Sequence, residues 1–247
     1  MRRIMPDLYF INTPASQMQR HLDLLQQIEA QPITLHFHRP GASPLTELTV
    51  CAYDDTEPGL LAKVCGTLSA HRVNIHTAYI FTASSEALDS ALCRPIQPAR
   101  NIVLDTLLVS EPYGRRERAL TNGTIARVHN DLTRVLNSEV TTAQLLMKAT
   151  RRPYPAVQTY EITAVEDTSG KHTIIKVRTD ATPGILHRMT GALAAMELNI
   201  SVAQINTEAG LTKNVFYVTN RQGKPLSHDE TESINYRLTA LLNDSAV

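Results

Sequence analysis

Two periodicities alternate along the chain. Ile33-Thr-Leu-His-Phe-His38 and Tyr160-Glu-Ile-Thr-Ala-Val165 place apolar side chains at every second position and end at the turn residues Pro40-Gly41 and Asp167 to Gly170, which predicts strands. Thr46 to Tyr53 and His172 to Thr179 are short β-branched or apolar runs and read as strands too. The spacing then turns helical: Leu60, Leu61, Val64 and Leu68 share one face of Gly59 to Ala70, and Ile185, Leu186, Met189 and Leu193 repeat that stripe. Asn74 to Thr82 and Asn199 to Thr207 alternate as strands, and Val103 to Val109 and Asn214 to Thr219 follow as further strands. Each half closes on an amphipathic helix. The first, Thr124 to Leu136, carries Ile125, Val128, Leu132, Val135 and Leu136; the second opens at the capping box Ser227-His-Asp-Glu230 and runs to about Leu242.

These halves are copies. Asp55-Thr-Glu-Pro58-Gly59-Leu60-Leu61 superposes on Asp180-Ala-Thr-Pro183-Gly184-Ile185-Leu186 at an offset of 125, and 12 of the 28 positions from 55 to 82 match those from 180 to 207. Each copy reads strand, strand, helix, strand, strand, helix. That is an α+β ferredoxin-like layout, a four-stranded antiparallel sheet with two helices on one face, in which the outer fourth strand comes first in the chain. The expected organisation is an N-terminal helical extension over 1–32, a first module over 33–139, a linker over 140–156 and a second module over 157–247. Thr13-Pro14 starts the helix of the extension. About 16 extra residues between Thr82 and Asp105, compared with the second copy, predict a hairpin insertion near 83–103. Sheet edges in such modules pair side by side, so the two modules pair with each other or with a second copy as a homodimer.

Composition narrows the function. Of 247 residues, 24 are Lys or Arg and 24 are Asp or Glu, so no net field gathers nucleic acid or anionic membrane. With no Trp, 4 Phe and 8 Tyr, the aromatic platform that sheets of this kind use to bind RNA is missing as well. No apolar run approaches the roughly 18 to 20 residues of a membrane span, and the N-terminus lacks the apolar stretch of a secretory signal, so the cytoplasm is the expected compartment. Cys51, Cys65 and Cys93 are odd in number and widely spaced, which predicts free thiols. His228-Asp229 stands alone without metal-ligand spacing, and no nucleophile elbow or phosphate loop occurs. Neither metal, cofactor nor catalysis is expected.

The repeated turn does carry chemistry. Asp-x-x-Pro-Gly at a helix start offers backbone N–H groups to an anion, with Gly59 or Gly184 allowing close approach. Asp55 or Asp180 could meet an ammonium group, so an α-amino acid would find both complements at one turn; the same residues equally serve as a plain helix cap and chain reversal. Asn74 and Asn199 open strands, where the side-chain amide suits a ligand, a partner module or a left-handed turn.

Two copies of Asp-x-x-Pro-Gly-[Leu/Ile]-Leu, each followed by Asn-Ile-x-x-Ala-x-Ile-x-Thr, resemble the ACT domain, a small-molecule-sensing module that usually binds amino acids. With Leu104-Asp-Thr-Leu-Leu-Val-Ser-Glu-Pro, His172-Thr-Ile-Ile-Lys-Val, Asn214-Val-Phe-Tyr-Val-Thr-Asn-Arg-Gln-Gly-Lys224 and the opening Tyr9-Phe-Ile-Asn-Thr-Pro14, the chain is similar to the tandem ACT region at the C-terminus of bifunctional PII uridylyltransferases. The resemblance implies an amino-acid sensor, glutamine favoured, acting through a regulatory partner protein without catalysis of its own. Alternatives are a ligand-free interaction module and the separate effector subunit of a uridylyltransferase. It also implies that the turn of one module faces the Asn-bearing strand of the other. The candidate ligand-binding residues are Asp55, Glu57, Pro58, Gly59, Leu60, Leu61, Asn74 and Ile75 in the first copy, and Asp180, Thr182, Pro183, Gly184, Ile185, Leu186, Asn199 and Ile200 in the second. Thr56 and Ala181 stand where the family has its usual acid, Arg72 and Glu197 where it often has glycine, and Asn214 where the later strand has an acid.

Overall fold

The computed structural model describes residues 5, 7–54, 59–83, 89, 100–149, 158–182 and 184–243. Most of the insertion expected near 83–103, including Cys93, and positions 150–156 of the expected linker lie outside these residues. The elements run α1 (Asp7–Asn12), α2 (Ala15–Gln27), β1 (Ile33–His38), β2 (Thr46–Tyr53), α3 (Leu60–Ala70), β3 (Asn74–Ala83), β4 (Ile102–Tyr113), β5 (Arg116–Arg118), α4 (Asn122–Leu136), α5 (Thr142–Ala149), β6 (Thr159–Glu166), β7 (Thr173–Asp180), α6 (Ile185–Ala195), β8 (Asn199–Glu208), β9 (Leu211–Thr219) and α7 (His228–Asn243).

The strands form one sheet in the order β1-β2-β4-β3-β8-β9-β7-β6, with β5 added beside β4. Each module has the ferredoxin-like order, and each leading strand joins the outer edge of its own module. The modules meet edge to edge, β3 antiparallel to β8. At the centre of that seam Tyr79 pairs with Gln204, its own equivalent at the 125-residue offset, while Ala78 pairs with Ile205 and Ile80 with Ala203. The repeat is therefore a pseudo-two-fold, with its axis through the Tyr79–Gln204 pair.

Strand alternation divides two cores between the faces of the sheet. Val103, Leu107 and Val109 of β4 join Leu60, Val64 and Leu68 of α3, Val128 and Leu132 of α4, Leu186 and Met189 of α6, and Leu238 and Leu242 of α7 in the larger core. Ile102 and Leu104 face the other way, packing with Cys51, Tyr53 and Phe81 against Tyr9, Leu25 and Ile28 of the N-terminal extension. The extension thus covers the back of the first module, where burying a large apolar side chain contributes about 1.5–3 kcal/mol. A polar network interrupts this apolar surface: Tyr9 Oη lies 2.9 Å from His21 Nδ1, His21 Nε2 lies 3.4 Å from Thr106 Oγ1, and Gln17 Nε2 donates to the same Thr106 oxygen at 3.3 Å.

Helix ends follow the local rules. Ser227 and Glu230 exchange the reciprocal capping-box hydrogen bonds, 2.7 and 3.3 Å, and Thr121 Oγ1 accepts from the Thr124 N–H at 3.2 Å to start α4. Helices α3 and α6 both end in a Schellman turn: Val73 N donates to Leu68 O and Arg72 N to Ser69 O, repeated by Leu198 to Leu193 and Glu197 to Ala194. Arg72 and Glu197 are left-handed there, φ 56° and 58°, in the place where glycine is cheapest. Within the stretch expected to be a linker, α5 forms and packs through Leu145 with Val135 and Val140. No described helix is long and apolar enough to cross a membrane.

Candidate functional site

The pseudo-two-fold creates two equivalent clefts at the module seam. In cleft one, Gly59, Leu60 and Leu61 at the start of α3 lie together with Asn199 and Ile200 at the start of β8. In cleft two, Thr182, Gly184, Ile185 and Leu186 at the start of α6 lie together with Asn74 and Ile75 at the start of β3. Each cleft therefore combines one module's turn with its neighbour's Asn-bearing strand. Asp55, Glu57, Pro58 and Pro183 lie outside the described residues. Asp180 stands apart from both linings; its carboxylate accepts a hydrogen bond from Tyr160 Oη at 2.9 Å.

Backbone geometry explains the glycines. Gly59 has φ 143° and Gly184 φ 77°, conformations that L side chains rarely adopt. Neither helix has a side-chain cap hydrogen bond; at α6 the Ile185 N–H donates to Thr182 O at 3.1 Å, and the other first-turn N–H groups are those a helix leaves without intrahelical partners. Thr182 Oγ1, on the turn of cleft two, is buried and has no hydrogen-bond partner.

The clefts differ in size and charge. Cleft one has a volume of about 50 Å³ and cleft two about 250 Å³. The floor of cleft one includes Asp105, an acid set between Val103 and Leu107 on the core face of β4. Both carboxylate oxygens are buried without a hydrogen-bond partner. Burial first, and the nearby Asp54 charge second, hold this carboxyl well above the ordinary Asp range; the Phe81 backbone N–H pulls the other way without meeting hydrogen-bond geometry. In the second module the same strand position is Asn214, whose amide donates to Val177 O at 3.4 Å and whose oxygen accepts from Thr212 at 3.1 Å.

Cleft two carries a polar cluster that sequence reading missed. Glu117 reaches back from β5, its Oε1 accepting from Asn74 Nδ2 at 2.7 Å and its Oε2 from Ser110 Oγ at 2.9 Å, with His76 Nε2 2.8 Å from the same oxygen. The Asn74 amide is thus committed to a carboxylate of its own module. Across the cleft, the buried ring of His187 donates from Nδ1 to Ala62 O at 3.2 Å. Burial is the main cause that lowers the His187 pKa, and the hydrogen bond opposes it. Among the described residues no group of three or more His, Cys, Asp or Glu side chains is placed to hold a metal ion.

Comparison with known proteins agrees with the motifs. No protein-family model matches the chain. The bifunctional uridylyltransferase/uridylyl-removing enzyme of Acinetobacter baumannii is 25% identical over 250 residues, covering 97% of this chain and 25% of that protein. The enzymes of the same name from Nitrobacter winogradskyi and Bradyrhizobium diazoefficiens are 26% and 28% identical, over 87% and 82% of this chain and 22% and 20% of their own lengths. The chain spans about a quarter of the length of these curated relatives. Two ferredoxin-like modules, joined at one sheet edge and alike in sequence along nearly the whole chain, are therefore similar to one part of the bifunctional uridylyltransferase/uridylyl-removing enzymes.

Proposed function

We propose that this chain is a non-catalytic regulatory protein that binds an amino acid, glutamine before others, at the seam between its modules. The observation that carries the reading is the pairing of a Gly-bearing helix start from one module with the Asn-bearing strand of the other, twice over, in clefts related by the pseudo-two-fold. A helix start complements a carboxylate. A cleft formed by two modules also couples occupancy to their relative position, which is what a regulatory module needs. Similarity to part of the uridylyltransferase/uridylyl-removing enzymes supports a regulatory role, acting on a partner protein or domain.

The test is a thermal-melt screen of the intact chain against the twenty amino acids. A ligand at 100 times its dissociation constant adds about 2.7 kcal/mol of stability, so a selective rise in Tm with glutamine is the expected result. Absence of any selective rise would move the reading to a ligand-free interaction module.

A further inference from the structure

The two clefts are related by the repeat, but one decoration breaks their equivalence. In the first module the chain turns after β4 and returns as β5, pairing Glu111 with Arg118 and Pro112 with Glu117. Among the described residues the second module has no matching strand: β9 ends at Thr219, and the turn that follows uses Asn220 to bond Gln222 and Lys224 while Arg221 pairs with Glu197. Only cleft two is therefore provided with an acid from a hairpin of this kind, and Glu117 is the acid among its lining residues.

Glu117 is held in place as a receptor group is held. Asn74, Ser110 and His76 fix both of its oxygens, at 2.7, 2.9 and 2.8 Å, and its side chain remains 39% exposed. A carboxylate has about four lone-pair sites, so three fixed contacts leave capacity for a further donor. The rest of the cleft supplies the other complements of a zwitterion. The α6 start and the unpartnered Thr182 hydroxyl form one wall, while Val73, Ile75, Ile185 and Leu186 offer apolar surface for a side chain. The volume of about 250 Å³ is five times that of cleft one.

We propose that Glu117 recognises the ligand's ammonium group and that cleft two is the amino-acid site of the chain, with Asn74 as the residue that positions Glu117. This rests on the amino-acid-binding reading above and adds the residue and the cleft. Glu117 belongs to the first module and the α6 start to the second, so ammonium and carboxylate are bound by different modules and the ligand bridges them.

The experiment is calorimetric titration of the intact wild-type chain and of Glu117→Gln with L-glutamine and with its des-amino analogue 4-carbamoylbutanoate. If another amino acid gives the largest rise in Tm, it and its des-amino acid replace this pair. Wild type is expected to prefer the amino acid at least tenfold, as a charge-assisted hydrogen bond allows. Glu117→Gln should lose at least tenfold in amino-acid affinity, leave the analogue unchanged and so abolish the preference. Because the preference is a ratio measured within one variant, partial loss of folded protein does not mimic it. Asn74→Ala, which keeps the acid but frees it, should lose part of the preference. Full preference retained in Glu117→Gln overturns the inference and leaves the amino-acid reading standing. Failure of wild type to bind any amino acid overturns both.

Discussion

His187 donates a hydrogen bond from Nδ1 to the carbonyl of Ala62, the residue that occupies its own place in the other copy of the repeat. Two-fold logic would place a histidine on each side of the axis. The chain has one, and its ring lies where a Cβ on Gly66 would be, 2.9 Å from His187 Cε1 and Nδ1 and 2.6 Å from Thr142 Cγ2 of α5. Gly191, the equivalent of Gly66, has nothing within 4 Å of a Cβ. Gly66→Ala should therefore destabilise the chain by about 1–3 kcal/mol through overpacking. Gly191→Ala should stabilise it by about 0.5–1 kcal/mol through helix propensity. Denaturant unfolding of the two variants measures both signs, and equal shifts would show that the α3–α6 contact does not depend on that glycine.

Asp105 and Asn214 face the same choice with opposite outcomes. Asn214 donates to the carbonyl of Val177, its neighbour on β7, while Asp105 pairs in register with Val50 of β2 and its carboxyl oxygens make no hydrogen bond. Asp105→Asn should bond Val50 as Asn214 bonds Val177, raising stability at neutral pH by at least about 1 kcal/mol. Its pH dependence has a definite sign. The folded carboxyl holds its proton to higher pH than the unfolded one, so wild-type stability from this group is present at acid pH and is lost as pH rises past the ordinary Asp range. Cys51, Cys65 and Asp54 are the titratable groups around it, and the two thiols are themselves raised by burial, Cys51 to about 12. The difference in unfolding free energy between Asp105→Asn and wild type should grow as pH rises; a constant difference would show that Asp105 is ionised throughout.

The fold was legible because the repeat repeats its periodicity as well as its letters. Strand alternation, the Pro-Gly helix starts and the Ser227–Glu230 box each settled one element locally. The N-terminal extension was visible as a helix but not as the cover of the back face, although Ile102 to Val109, apolar on both faces except at Asp105 and Thr106, is the signature of a strand buried on both sides. At the clefts, the turns and the Asn-bearing strands could be found from their recurrence. Glu117 and His76 could not, because β5 has no counterpart at the repeat offset and a lone acid in Arg-Arg-Glu-Arg looks like a solvated surface. Asn74, expected to face a ligand or a partner module, is drawn to Glu117 by a hydrogen bond that no local pattern announces.

Left-handed Arg72 and Glu197 end two helices at a cost that glycine would avoid. An L residue at positive φ costs roughly 1–2 kcal/mol, partly offset by the greater chain entropy that glycine loses on folding. Arg72→Gly and Glu197→Gly should each raise stability by about 0.5–1 kcal/mol. Glu197 also pairs with Arg221 at 3.1 Å, but both side chains are more than 60% exposed, and exposed pairs contribute little. The two gains should therefore be similar and additive, since the turns belong to different modules. Thermal unfolding of the single and double variants checks this, and a loss in either would mean that the Schellman turn is held by contacts of the side chain it now carries.

His21 sits at the centre of the polar network under the first module, and acid should attack the fold there. The ring is 1% exposed, and burial, reinforced by the Arg20 charge, brings its pKa down from 6.5 to about 4. The neutral tautomer that satisfies both neighbours carries its proton on Nε2, donating to Thr106 Oγ1, and accepts the Tyr9 hydroxyl at Nδ1. Protonation would put a donor against that hydroxyl and a charge into an apolar core. The unfolded chain takes up the proton near pH 6.5, before the folded one does, so stability is fully present above that pH and is lost as pH falls towards 4. The shift corresponds to about 3 kcal/mol for this group. His36, His172 and His187 are also lowered by burial, so the whole chain should soften over this range, and His21→Gln isolates one share of the effect. The variant should be less stable than wild type at pH 7.5 and should approach it as pH falls to 4, because it has no imidazole to charge. Parallel pH profiles would show that His21 is not the group through which acid loosens the N-terminal extension from the sheet.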